Sequence, residues 1–260
     1  MDRRQLGITG IEVPAIGMGT WRTFDTDEDR SWLVDEALEA GMNLFDSSPM
    51  YRKSEDTLAT ALDGKREQAV IATKIWTDSP EDGERQAAHA LGLYGTVDIY
   101  QVHNLVNWPA QLQLLEGLKS QHKVRAVGAT HYQEAYFGDL EKLIKTGRLD
   151  MIQVPYNPLR REAEKTLLPL AAELNLGVLV MSPLQGGILD RKPTADQLQQ
   201  LGVSTWAQAI LKWIASDARV SCVLTATSRP GRATENAKAG EPPMFNSEQR
   251  ELVMRICAAG

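Results

Sequence analysis

Four residues in the first 103 positions are of types that together could move a proton onto a carbonyl oxygen. Asp46 ends the apolar pair Leu44-Phe45, and Tyr51 follows five residues later in "NLFDSSPMYRKSE". Lys74 ends "VIATK", and His103 ends "VDIYQVH". A tyrosine, with a pKa of about 10 in water, is a poor acid at neutral pH. A nearby ammonium stabilises the phenolate and makes the phenol a better proton donor. A carboxylate behind the ammonium keeps it charged, and a histidine beside the tyrosine can hydrogen-bond the carbonyl oxygen. Lys74, Asp46 and His103 fill those roles around Tyr51. Each residue alone has an ordinary reading, as a turn cap, rim aromatic, solvated lysine or core histidine. The chemistry requires that they meet.

The elements that would make them meet can be read from periodicity. Short, nearly continuous apolar runs alternate with segments of helical spacing, as in parallel strands covered on both faces. The runs are Ala15–Gly19, Asn43–Phe45, Val70–Thr73, Val97–Val102, Val124–Gly128, Met151–Val154, Val178–Met181 and Cys222–Leu224. Helical stripes lie between most of them. Thr26-Asp27-Glu28-Asp29 reads as a capping box ahead of Trp32, Leu33, Ala37 and Leu38, with Gly41 just past the end. Ser54 precedes acids at 55 and 56, and Leu58, Ala61 and Leu62 form the inward face of that helix. Further stripes are Leu112/Leu115/Leu118, Tyr136/Leu140/Leu143/Ile144, Leu167/Leu168/Ala171/Leu174 and Trp206/Ile210/Trp213, then Pro230 to Ala239. Eight β-then-α units predict an α/β (β/α)8 TIM barrel in one domain, residues 1–260. A Thr9-Gly10 turn predicts an N-terminal β-hairpin cap, and "NSEQRELVMRICAAG" a short extra C-terminal helix. Chemistry in such barrels sits at the C-terminal strand ends, where Asp46, Lys74 and His103 fall.

Composition narrows the function classes. A net charge of −6 over 260 residues argues against nucleic acid, whose phosphates demand a basic face. Two cysteines without metal-ligand spacing argue against a disulfide framework or a structural metal, and fit the cytoplasm. The N-terminus lacks the apolar core of a secretory signal, and no stretch approaches the ~20 apolar residues of a membrane span.

The stretches "AIGMGTW", "FDSSPMYRKSE", "VIATK", "VDIYQVHN", "VGATHY", "IQVPYNP", "MSPLQGG" and "TATSRPGRATEN" resemble the aldo-keto reductase family, from about Arg4 to Ala239. The resemblance implies a cytosolic NAD(P)H-dependent reductase of aldehydes and ketones, with Tyr51 as general acid, Lys74 and Asp46 as its activating pair and His103 as the orienting residue. It implies a cofactor carboxamide met by Thr130, His131 and Gln153, with Gly19, Thr20 and Trp21 near the nicotinamide. Ser182, Leu184 and Gly186 would meet the pyrophosphate, and Thr227, Ser228, Arg232, Glu235 and Asn236 the adenine end. A helix N-terminus flanked by Arg229 and Arg232 suits a 2′-phosphate, so NADPH is expected rather than NADH. A small-molecule carbonyl substrate and a monomer are expected.

Several positions depart from the family pattern. Arg52 stands where a glycine is usual after the tyrosine, and with Lys53 it could draw anionic substrates or point to solvent. Met181 replaces the aromatic that often stacks on the nicotinamide. Thr130-His131 replaces a serine-asparagine pair, and Ala226 a lysine near the 2′-phosphate. The chain stops soon after its last helix, so an open pocket is expected, walled by Trp21, Met50, Trp76, Asn104 and Trp108. The dinucleotide fingerprint of Rossmann folds is absent, since Gly17-Met18-Gly19-Thr20-Trp21-Arg22 lacks its third glycine. Two rival readings remain at this stage. One is a Schiff-base aldolase with Lys74 as nucleophile. The other is a barrel that binds nicotinamide and reports redox state with little turnover.

Overall fold

The computed structural model describes residues 1–259. Eight parallel strands close into a barrel in chain order: β3 (Ile16–Gly19), β4 (Leu44–Asp46), β5 (Val70–Ile75), β6 (Val97–His103), β7 (Val124–Thr130), β8 (Met151–Pro155), β9 (Gly177–Met181) and β10 (Cys222–Thr225), which pairs back to β3. All eight expected runs are strands of this (β/α)8 fold. Several extend beyond the apolar run, because the polar residues that follow it, Asp46, Lys74, His103 and Thr130, still pair in the ladder.

The hairpin pairs β1 (Arg3–Gln5) with β2 (Glu12–Pro14) in antiparallel register. Its apolar residues Leu6, Ile11 and Val13 join Leu44, Val70, Ala72, Ile99, Ala126, Met151, Leu179, Cys222 and Leu224 in the barrel interior. The hairpin therefore plugs one end of the barrel with hydrocarbon. Side chains alternate along a strand, so the same inward face that carries Leu44, Ala72, Ile99 and Met151 carries Asp46, Lys74, Gln101, His103 and Gln153 further up. Gly128 also faces inward, where a Cβ would overlap Met151 Sδ and stand 2.9 Å from its carbonyl oxygen.

Helices cover the outside: α1 (Ser31–Glu39), α2 (Ser54–Ala61), α3 (Pro80–Tyr94), α4 (Trp108–Ser120), α5 (Phe137–Ile144), α6 (Leu167–Glu173), α7 (Ala195–Leu201), α8 (Trp206–Ala215) and α9 (Arg232–Ala237), then α10 (Ser247–Ala258). The outward strand residues Phe45, Ile71, Tyr100, Val127 and Ile152 pack beneath them. The Thr26 capping box does not form. Thr26 Oγ1 accepts from Glu28 N–H, and α1 starts five residues later after Arg30. α3 is the longest helix and carried no apolar stripe in the sequence. It starts on Ser79, whose Oγ accepts from Asp82 N–H, and buries Gly83, Ala87, Ala90 and Tyr94. α7 lies inside the long connection after β9 and has a complete capping box between Thr194 and Gln197. No described helix is long and apolar enough to cross a membrane.

Glu55, in the first turn of α2, is buried against β5, where its Oε1 accepts from Thr73 Oγ1 at 2.5 Å. Burial is the main cause that lifts its carboxyl from 4.5 to about 6. Because the folded value exceeds the unfolded one, the native state binds more protons between those values, and stability falls as pH rises through that window. The loss is about 2 kcal/mol, complete by about pH 7. Urea unfolding of Glu55→Gln should therefore gain about 2 kcal/mol on the wild type between pH 4.5 and pH 7. A gap between the two proteins that does not change with pH would contradict this.

Candidate active site

Strand register sets the heights of the inward polar residues. Gly19 pairs with Asp46, Asp46 with Ala72, Lys74 with Gln101, His103 with Thr130, and Thr130 with Gln153. Lys74 is thus two residues above the level of Asp46, and its side chain lies back across the interior. Its Nζ donates to both carboxylate oxygens of Asp46, at 2.8 and 2.7 Å, and to Ser47 O at 2.7 Å. Gln153 Nε2 donates to Asp46 Oδ1 at 3.0 Å, and Gln101 Nε2 approaches the same oxygen at 3.4 Å. Lys74 is 1% exposed and Asp46 5%. Burial alone would lower the Lys74 pKa, but Asp46 and its neighbours overturn that and the net direction is up. The amine is therefore an ammonium at neutral pH with its three protons engaged. A Schiff base requires a neutral amine with a free lone pair, so the aldolase chemistry has no support here.

Tyr51 ends a 3₁₀ turn, Pro49–Tyr51, whose first residue is fixed by proline and whose cap is Ser48, accepting from Met50 N–H at 3.2 Å. Ser54 Oγ donates to Tyr51 O and ties the turn to α2. The phenol ring has Lys74 Nζ 5.3 Å from its centroid and meets the His103 ring edge-on, centroids 5.8 Å apart at 88°. Burial pushes the phenol up, Lys74 pulls it down, and Asp46 pushes it up again, with a net rise. Lys74 was expected to lower it. Part of the ammonium's field is cancelled by Asp46, and burial outweighs the remainder. Tyr51 is accordingly a protonated donor throughout the neutral range. His103 is 6% exposed, and its Nδ1 lies 2.8 Å from Ser48 Oγ. Burial first, then Lys74 and His131, hold it well below the usual imidazole range, so the ring is neutral.

The residues expected at the cofactor lie on the C-terminal parts of β3, β7, β8 and β9, in the loops that follow, and around the start of α9. Thr20 is buried and donates to Ser47 Oγ at 2.9 Å, while Trp21 is exposed with the Arg22 guanidinium stacked 4.2 Å from its ring centroid. Thr130 Oγ1 and Asn236 Oδ1 are buried with no hydrogen-bond partner among the described residues. His131 stacks on Tyr136 at 4.0 Å. Gln153 spends its amide N–H on Asp46, a partner that sequence spacing did not reveal. Met181 ends β9, and Ser182, at φ 55°, turns the chain into the long connection through Leu184 and Gly186. Arg232 donates to Glu235 at 2.7 Å, and Thr205 Oγ1 donates to the same oxygen at 3.1 Å. Thr227 Oγ1 accepts from Arg229 N–H, and Ser228 is exposed. The N–H groups of Gly231 and Thr234, at the start of α9, are taken by the Glu36 carboxylate of α1, at 2.9 and 2.8 Å. The expectation that these amides were free for a phosphate is corrected by Glu36, which lies 195 residues away in sequence from Gly231.

A profile of the aldo/keto reductase family matches residues 15–256. This chain belongs to that family. It is 31% identical over 239 residues to the NADH-specific methylglyoxal reductase of Escherichia coli, covering 75% of this chain and 71% of the relative. It is 25% identical over 259 residues to the 9,11-endoperoxide prostaglandin H2 reductase of Trypanosoma cruzi, covering 93% and 87%. Among solved structures, an aldo/keto reductase from Klebsiella pneumoniae in complex with NADP and acetate superposes with a TM-score of 0.83 at 20% identity, covering 98% of this chain and 95% of that one. The family is one of NAD(P)H-dependent oxidoreductases, and that coarse activity applies to this member.

Within this reductase the expected pocket walls separate into two groups. Trp21, Met50 and Trp76 are exposed at the rim. Gln86 clamps the Trp76 backbone from both sides, accepting from its N–H at 2.8 Å and donating to its carbonyl at 3.0 Å. Trp108 and Asn104 instead line a cavity of about 350 Å³ against α5, with Tyr136 and Lys142, whose lining includes none of the four central residues. Arg52 lies 3.6 Å from Asp25 and Lys53 2.6 Å from Asp27, and both cationic side chains are largely exposed to solvent.

Removing one member of a buried ion pair leaves an uncompensated charge, which costs about 3–5 kcal/mol. Asp46→Asn should lose about that much stability in urea unfolding, and Asp46→Asn/Lys74→Met should recover most of it. Equal losses in the single and double variants would contradict the coupling.

Proposed function

We propose that the chain reduces aldehydes or ketones to alcohols with a nicotinamide dinucleotide. The observation that carries the reading is the buried Lys74–Asp46 pair beneath a protonated Tyr51, beside a neutral His103. Bound nicotinamide supplies the hydride to the carbonyl carbon. His103 donates a hydrogen bond to the carbonyl oxygen and polarises it. Tyr51 gives its phenolic proton to the same oxygen. Lys74 stabilises the tyrosinate left behind, and Asp46 keeps Lys74 charged and aimed until solvent returns the proton. Thr130 Oγ1 and Asn236 Oδ1, buried acceptors without hydrogen-bond partners among the described residues, support cofactor contacts near the carboxamide and the adenine. His131, Gln153, Ser182, Leu184, Gly186, Thr227 and Glu235 would complete that cradle, with Gly19, Thr20, Trp21 and Met181 around the nicotinamide.

Cofactor choice turns on the adenine end. Arg232 is paired with Glu235, and Glu36 already supplies negative charge to the start of α9, leaving Arg229 as the exposed cation of that segment. A 2′-phosphate there would face Glu36. We therefore read the site as accepting NADH at least as well as NADPH, against the preference expected from the two arginines. The E. coli relative is named as NADH-specific, which agrees with this reading.

Two outcomes test the proposal. Tyr51→Phe should lower carbonyl turnover by about 10²-fold or more and leave the cofactor dissociation constant within about twofold, the range of a surface perturbation. Wild-type turnover of every carbonyl tested would remove the assignment. Glu36→Ala should tighten NADPH relative to NADH by roughly fivefold, the size of one partly screened charge contact, in fluorescence titrations. An unchanged ratio would mean that Glu36 does not face the 2′ position.

A further inference from the structure

Ser48 has no role in the chemistry above, yet it is fully buried and its hydroxyl lies 2.8 Å from Nδ1 of His103. A hydroxyl has one proton to give and two lone pairs to receive. One lone pair is already used, because Met50 N–H donates to Ser48 Oγ at 3.2 Å. Two arrangements remain. If His103 carried its proton on Nδ1, it would donate to Ser48 Oγ, both lone pairs would be filled, and the serine proton would need another acceptor. Among the described residues Ser48 Oγ has no hydrogen-bond partner but Met50 N–H and His103 Nδ1. A buried donor without an acceptor is costly. If instead Ser48 donates to Nδ1, every group is satisfied and the imidazole proton must sit on Nε2.

The ring is neutral, so only one nitrogen holds a proton. Among the described residues Nε2 has no hydrogen-bond partner, and it is not sealed off from solvent. We propose that Ser48 is a positioning residue that fixes His103 as the Nε2–H tautomer. This inference rests on the reductase reading for its consequence: only that tautomer presents a donor to a carbonyl oxygen, whereas the other presents a lone pair that repels it. One side chain would then serve two tasks. It caps the turn that carries Tyr51 and sets the proton on His103, so the acid and the orienting donor are aligned by the same atom.

The test reads the tautomer directly. The chain has four histidines, so long-range ¹H–¹⁵N correlation spectra of ¹⁵N-histidine-labelled full-length protein can be assigned with a His103→Gln control. The wild type should show His103 as neutral Nε2–H at pH 7. Ser48→Thr, which keeps the hydroxyl, should show the same pattern, and Ser48→Ala should lose it to the Nδ1–H form or to an exchanging mixture. In kinetics, Ser48→Ala should lower kcat for a reducible carbonyl by about tenfold or more, with rescue in Ser48→Thr and little change in cofactor affinity. A wild-type spectrum with the proton on Nδ1 overturns the proposal without any variant. An unchanged Nε2–H pattern in Ser48→Ala overturns it as well. Failure of the reductase reading is separate: it would appear as full turnover in Tyr51→Phe, with the tautomer result untouched.

Discussion

The Lys74–Asp46 pair is the interaction on which the rest of the site depends. Two charges inside a barrel cost several kcal/mol each in lost hydration, and attraction alone need not repay that. Here the pair is completed by further bonds: Ser47 O takes the third proton of the ammonium, and Gln153 of β8 and Gln101 of β6 approach the carboxylate from across the barrel interior. The barrel interior thus changes character along its length. Hydrocarbon from the hairpin and the lower strand residues fills one end, and a hydrogen-bonded ionic layer sits above it. Alternation along each strand delivers both layers, since the residues two positions above Leu44, Ala72, Ile99 and Met151 are Asp46, Lys74, Gln101 and Gln153.

That layer determines the states of the groups above it. A fixed ammonium beneath the mouth disfavours a second cation, which with burial keeps His103 neutral. The same burial keeps Tyr51 protonated against the pull of Lys74. A donor phenol and a neutral imidazole are what a carbonyl oxygen needs before reduction. The tyrosine turn is anchored by Ser48 at its start and by Ser54 at its end.

The sequence revealed the barrel because parallel strands covered on both faces are continuous apolar runs, and those of β4, β6 and β7 gave way to Asp46, His103 and Thr130 at their C-terminal ends. It concealed α3 because that helix packs through Gly83, Ala87 and Ala90, residues too small to form a visible stripe; the Ser79-Pro80-Glu81 start was the available signal. The capping box at Thr26 was misleading because Thr26 closes a local turn instead. Contacts that depend on distant segments were not legible. Glu36 reaches α9 across the closure of the barrel, and Gln101 looked like one more residue of an apolar strand. Ser48 read as loop material because nothing in its spacing shows that it faces His103, a residue from two strands away. The gap between Lys74 and Tyr51 was legible as proximity, but the sign of the net effect on the phenol was not, since burial decided it.

The most direct measurement of the central claim is the pH dependence of kcat for carbonyl reduction between pH 7 and pH 11. With a buried phenol as the proton donor and an imidazole that stays neutral, kcat should be flat to about pH 10 and fall only where Tyr51 ionises, above the ordinary tyrosine value. A fall with its midpoint between about pH 7 and pH 9 would contradict it, because the donor would then be a group other than the buried Tyr51 phenol.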